Sequence, residues 1–356
     1  MNLCLGGPTA LCALRICRVR HAMPHYLTIV KPPSPAPYSR WSAAHLREAL
    51  SPIEGLADAM GPARIDVCVP HRKNRVQSTS VRNIVCAPSW FKSPFMHVNN
   101  SLSFAGPELL LAQEAARGSL TSTALLAYEL CGTYAHDPLA KTIRYGLDPV
   151  CDRASIRRFI QDTPGKIRGR SKLTQALAYV RENSWSPMES ILALVLSLPL
   201  SKGGYGVRQL TLNRRAPDGQ DCARIPDILL GSTKVGINYE GEGHFETVAL
   251  TDAAIQAAAC VSSESLAQIE MAGQSMRASI VRDKRRDREL LLAGYRVVTV
   301  TKEDLHNQPT LDELVWQLQR LVALETSATE PTKTEVVGGR VAQAKRRALL
   351  RHLMRR

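Results

Sequence analysis

Apolar positions recur along the chain either in alternation or at helical spacing, and the two patterns assign most of it to short strands and medium helices. Residues 10–19 form a short basic helix, and 43–60 carry Leu46, Leu50, Ile53 and Leu56 at helical spacing, with Pro52 set to split the run. Ile65-Asp66-Val67-Cys68-Val69 alternates as a strand, followed by the basic loop His71–Arg75 and a second strand over 81–86. Two helices follow at 107–116 and 121–130, each stopped by a glycine (Gly118, Gly132), and two more at 154–162 and 172–182. Ser186-Pro187-Met188-Glu189-Ser190 opens a strongly apolar helix running to Leu198, with Ser186 as its cap. Beyond a glycine-rich turn at 203–206 come strands over 207–212, 223–230 and 234–240. A small-residue-rich helix over 246–274, an amphipathic helix over 277–292, a strand over 295–300 and helices at 302–305 and 311–324 complete the pattern. In the helix over 277–292, Ile280, Leu290 and Leu291 are the expected apolar anchors.

The central feature is the pair of strands joined by Gly231-Ser232-Thr233, turn residues that permit a tight reversal. On the second strand Val235, Ile237 and Tyr239 share one face, and Asn238 and Glu240 the other. Asp227 lies near the end of the first strand, so carboxylates of both strands can converge. Oxygen ligands from one or two carboxylates, completed by water and substrate phosphate, are what magnesium or manganese requires. The same acids also suit a solvated sheet edge. Glu189 stands where a capping-box acid would stand, so a cap and a ligand role are both open for it.

The 356 residues carry a formal charge of +14, a pI near 9.6 and 44% hydrophobic residues. The length suits two domains plus a tail, and the basic excess favours a polyanionic partner, DNA first. Aromatic residues make up only 5%, which argues against binding of single strands mainly by base stacking. Nine scattered cysteines without a C-x-x-C pair point to free thiols rather than a zinc site or a disulfide framework. With no apolar run of membrane-spanning length, no membrane association and a cytoplasmic location are expected. Composition shifts divide the chain into a poorly structured basic, proline-rich N-terminus (1–45, with the stiff Lys31–Pro37 run), a helix-rich α/β module (46–170), winged-helix-like in its helix pair, a second α/β domain (171–325), and a polar linker with a basic tail (326–356).

From Ser184 onwards the order helix, three strands, helix, strand, with Pro226-Asp227 on the second strand, resembles the PD-(D/E)XK superfamily of restriction-endonuclease-like nucleases. Ser-Pro-Met-Glu-Ser at 186–190, Arg224-x-Pro-Asp227, Tyr239-Glu240-Gly241 with His244, and Asp283-x-x-Arg286-Asp287 before Gly294-Tyr295 are similar to bacterial endonuclease-like proteins related to the very-short-patch repair nuclease. The N-terminal part more loosely resembles modules of abortive-infection antitoxin proteins, implying a place in defence. The resemblance implies an α/β restriction-endonuclease-like core, a mixed central sheet flanked by helices, and metal-dependent hydrolysis of DNA phosphodiesters. It assigns metal binding to Asp227, Glu240, Asn238 and Glu189. It further assigns phosphate or water orientation to His244, and charge neutralisation to Lys284 and Arg286, which compensate for the absent motif lysine. Asn238 stands where a carboxylate is usual; Glu240-Gly241-Glu242 is the alternative register of the motif. The neutral Asn238 keeps open a catalytically degenerate, DNA-binding regulator or antitoxin.

Overall fold

The computed structural model describes residues 3–27, 42–76, 78–86, 95–163, 167–213, 225–240 and 263–355. The chain is a mixed α/β protein that divides into two compact units, Met1–Ser190 and Ile191–Arg356. The division lies within an apolar helix, rather than near residue 170 as composition suggests.

The N-terminal unit is built on a six-stranded mixed sheet. Its elements begin with β1 (Leu3–Leu5), α1 (Gly7–Val19) and β2 (His25–Leu27). Then come α2 (Ala43–Leu50), α3 (Leu56–Met60), β3 (Ile65–Val69), β4 (Val81–Val85), β5 (Phe95–Asn99) and β6 (Leu102–Ala105). The sheet order is β2-β5-β6-β1-β3-β4, with β1 parallel to β6 and β3 parallel to β4. Leu3, Cys4 and Leu5 are fully or almost fully buried at its centre, and α1 buries Ala10, Ala13 and Leu14. Residues 3–19 thus form a buried strand and a helix packed in the core, where a poorly structured N-terminus was expected. A six-stranded sheet also replaces the small wing that a winged-helix module would carry. Pro52 does separate α2 from α3, as its missing N–H requires.

Helices α4 (Pro107–Arg117), α5 (Leu120–Cys131), α6 (Arg153–Asp162) and α7 (Arg170–Tyr179) pack on one another, and the hairpin β7 (Tyr134–Asp137) and β8 (Thr142–Tyr145) follows α5. Arg18 of α1 is 4% exposed and donates to the carbonyls of Glu129, Gly132, Tyr134 and Asp148. It thereby satisfies the orphan carbonyls at the end of α5. Arg15 grips the buried Glu129 carboxylate through two nitrogens, at 2.8 and 2.6 Å. Burial would raise the Glu129 carboxyl, but the Arg15 guanidinium holds it below the usual range.

Glu108, in the first turn of α4, is buried, and its Oε2 has no hydrogen-bond partner among the described residues. Burial raises its carboxyl above the usual carboxylate range. A raised acid contributes its stability below the unfolded pKa and loses it as pH rises through the folded one. Glu108→Gln is thus expected to melt higher than the parent at pH 8, with the gap closing near pH 4 in a thermal-melt series.

The C-terminal unit holds a four-stranded sheet. Helix α8 (Pro187–Ser197) leads into β9 (Leu210–Leu212), β10 (Ile228–Leu230) and β11 (Val235–Glu240). Helix α9 (Ser263–Leu292) then precedes β12 (Arg296–Thr301), α10 (Lys302–His306), α11 (Gln308–Glu325), α12 (Lys333–Val337) and α13 (Arg340–Leu353). The sheet order is β12-β11-β10-β9; β9, β10 and β11 are antiparallel neighbours, whereas β11 and β12 run parallel. A parallel pair needs a long crossover, and α9 lies in it. Where two helices were expected between 246 and 292, residues 263–292 form one helix, and 246–262 lie outside the described residues. Within it Leu290 is buried, but Leu291 is 70% exposed and no core anchor.

The C-terminal segment is not a free tail. Arg346 of α13 is completely buried, pairs with Asp312 of α11, and donates to the carbonyls of Gly203 (3.2 Å), Gly204 (2.8 Å) and Val337 (3.0 Å). Its guanidinium lies 3.8 Å from the centre of the Tyr205 ring, whose hydroxyl donates to the same Asp312 carboxylate at 2.7 Å. The glycine turn at 203–206 is the receptor for this arginine: Gly203 has φ +87°, and a Cβ there would stand 2.8 Å from the backbone nitrogen of Arg346. Lys345 and Arg347 also bond to the unit, through the Ser201 carbonyl and the Gln308 side chain.

Candidate metal centre on the C-terminal sheet

Pairing of Ile228 with Ile237 and of Leu229 with Gly236 sets the hairpin register, and continuing that ladder places Asp227 opposite Asn238. Gly236 makes this possible, because a Cβ there would come within 2.6 Å of Pro226 and 2.8 Å of the Ile228 carbonyl. Pro226 therefore packs directly on the partner strand and fixes the residue after it.

Asp227 and Asn238 are 6% and 3% exposed. One Asp227 oxygen accepts the Tyr239 N–H at 2.8 Å, and the other accepts from Arg286 Nη2. The amide oxygen of Asn238 accepts the Asp227 N–H at 3.3 Å and the same Arg286 Nη2 at 3.2 Å. Two oxygens from two strands thus converge on one cationic nitrogen delivered by α9. Glu240, two residues beyond Asn238 on β11 and half-buried, pairs in register with Thr301 of β12. By the period of the strand it shares the Asn238 face.

This donor set can be tested against a divalent cation. The oxygens of Asp227 and Asn238 already share a positive charge, and one of the two is anionic, as a hard cation prefers. Glu240 adds a second carboxylate to the same strand face, and oxygen donors of this chemistry are those such an ion takes, with water completing its shell. Among the described residues no group of three or more His, Cys, Asp or Glu side chains is gathered for a metal. The set therefore relies on the Asn238 amide, which a charge-based pattern passes over.

The other residues assigned from sequence are placed differently. Glu189 belongs to the first unit, and its carboxylate accepts the Trp185 N–H at 3.0 Å while its own N–H donates to Ser186 Oγ at 3.1 Å. Ser186 thus caps the helix, and the Glu189 carboxylate holds the N–H one residue ahead of the cap rather than that of Ser186, a local role close to that of a capping-box acid. Lys284 is exposed on α9. Arg286 pairs with Asp227. His244 and Glu242 lie outside the described residues. Sequence reasoning missed the Arg346–Asp312–Tyr205 cluster; a lone tyrosine within a Gly-Gly-x-Gly turn was its only local signal.

Among the described residues no helix is long and apolar enough to cross a membrane. Cysteines 4, 12, 17, 68, 86, 131 and 151 are free thiols, and burial pushes that of Cys4 up to about 12. Comparison with protein-family models, curated protein sequences and solved structures returns no match.

Proposed function

We propose that this chain is a divalent-cation-dependent DNA endonuclease with a restriction-endonuclease-like C-terminal unit. The observation that carries this reading is the convergence of Asp227 and Asn238 on one cation in a hairpin that a helix and a parallel strand complete. The order helix, three strands, helix, strand in a β12-β11-β10-β9 sheet supports it.

Asp227 and Glu240 would hold magnesium or manganese, with the Asn238 amide as a neutral third oxygen. When bound, the ion acidifies water and neutralises charge developing on the phosphate. Tyr239 N–H orients the Asp227 carboxylate, and the Asp227 N–H orients the Asn238 amide, so both oxygens are set by the strand backbone. The basic excess of the chain draws the polyanionic substrate. No metal-binding role is proposed for Glu189.

Supercoiled plasmid with magnesium or manganese is expected to be nicked by the wild-type protein and left intact under a chelator. Glu240→Ala should nick more slowly than wild type, since removing a preorganised electrostatic contribution costs about two to three orders of magnitude at most. Nicking that persists in chelator would overturn the proposal.

A second reading is favoured by the Arg286–Asp227 pair itself. A site that already contains its own cation is stable without a metal, as in a nuclease-fold protein that binds DNA as a regulator or antitoxin without cutting it. It would retain DNA in a salt-dependent manner with no nicking under either metal.

A further inference from the structure

We infer that Arg286 is a built-in guard of the metal centre: its guanidinium occupies the point where the Asp227 and Asn238 oxygens meet, and a divalent cation binds there only by displacing it. The inference rests on the endonuclease reading and adds a control on metal occupancy to it.

The geometry carries the argument. Arg286 Nη2 donates to both Asp227 and Asn238, so the guanidinium and a metal ion would compete for the same lone pairs. Co-occupancy would set a unit positive charge beside a divalent ion at a pair of residues that are 6% and 3% exposed, where screening is weak. The Arg286 side chain is 27% exposed, so solvent already reaches part of it. Its helix position also favours a swing. Neighbouring Arg285 is engaged with Glu289 at 2.9 Å along α9, and Leu290 one turn on is buried. The helix can therefore stay docked while a single side chain moves. Once released, the guanidinium is a free cation beside the site, suited to a substrate phosphate. Metal and substrate then support one another: phosphate draws the arginine out of the site and the ion enters it.

The test is manganese titration into the full chain by calorimetry, with the bound ion counted by electron paramagnetic resonance, in wild type, Arg286→Gln and Arg286→Lys, with Asp227→Ala as the control. Arg286→Gln is expected to bind manganese at least about tenfold more tightly than wild type, the effect of removing one like charge from beside the ion. Arg286→Lys, which keeps the charge but cannot span both oxygens, should fall between. Equal affinity in wild type and Arg286→Gln, both lost in Asp227→Ala, would overturn the guard and leave the endonuclease reading standing. Weaker binding in Arg286→Gln would also overturn it, making the arginine a positioning residue instead. Absence of manganese binding in all four proteins would defeat the guard and the metal-dependent reading together.

Discussion

Replacing Arg346 by methionine is expected to destabilise the C-terminal unit by about 3–5 kcal/mol, the usual cost of removing one partner from a buried ion pair. Arg346 is fully buried, and its loss strands the Asp312 carboxylate, which is 6% exposed at its side chain. The Tyr205 hydroxyl and the Gln308 amide continue to donate to Asp312, but neither carries a charge. The carbonyls of Gly203, Gly204 and Val337 lose their donor at the same time. Each buried polar group left unpaired costs about 1–3 kcal/mol. Hydrogen exchange is the direct measurement: amides of residues 340–353 and of the 203–206 turn should lose protection together in Arg346→Met. The double variant Arg346→Met with Asp312→Leu should recover part of the loss, because it removes both charges rather than one. Lysine should not substitute, since it lacks the fork that reaches three carbonyls and a carboxylate. Unchanged protection in Arg346→Met would refute the docking role of α13.

Asp227→Ala is expected to lower metal-dependent nicking by about 100-fold or more, the scale of losing one preorganised electrostatic contribution at the reacting centre. The argument is one of charge. Asn238 is neutral, so Asp227 is the buried anion of the pair, and nothing else in that pair can hold a divalent ion electrostatically. The same substitution leaves the Tyr239 N–H and the Arg286 guanidinium without their acceptor. Arg286 is partly solvated, so the fold should survive the change. Asp227→Asn separates the two effects: it preserves the acceptor for Tyr239 but removes the charge, and should match Asp227→Ala in nicking while keeping the parent's melting temperature.

The hairpin around Asp227 was legible because its signal is local. A turn triplet, alternating side chains and a spacing of thirteen positions from Asp227 to Glu240 define two paired strands without tertiary help. Helices α4 and α8 were legible for the same reason, with proline in the first turn of each. The N-terminal sheet was not. β1 is three residues long and buried throughout, so it shows no alternation, and β5 with β6 reads as an unremarkable apolar stretch around Asn99-Asn100-Ser101. Those turn residues were the signal available. Arg346 illustrates the other limit. In a run of Lys and Arg without acids it is indistinguishable from its neighbours, and only the distant Asp312, Tyr205 and glycine turn select it. Arg286 presented the same problem: it is one of eight consecutive charged residues, and its link to Asp227 comes from where α9 lies in the crossover.

Asp227, Asn238 and Glu240 are proposed to form a divalent-cation site from which Arg286 must withdraw. Its most direct test is a crystal of the protein grown with manganese and an oligonucleotide, measured for anomalous scattering. The account predicts a single manganese peak in contact with the Asp227 and Glu240 carboxylates, with the Arg286 guanidinium turned away from Asp227. Arg286 still bridging Asp227 and Asn238, with no manganese beside them at concentrations that support nicking, would contradict it.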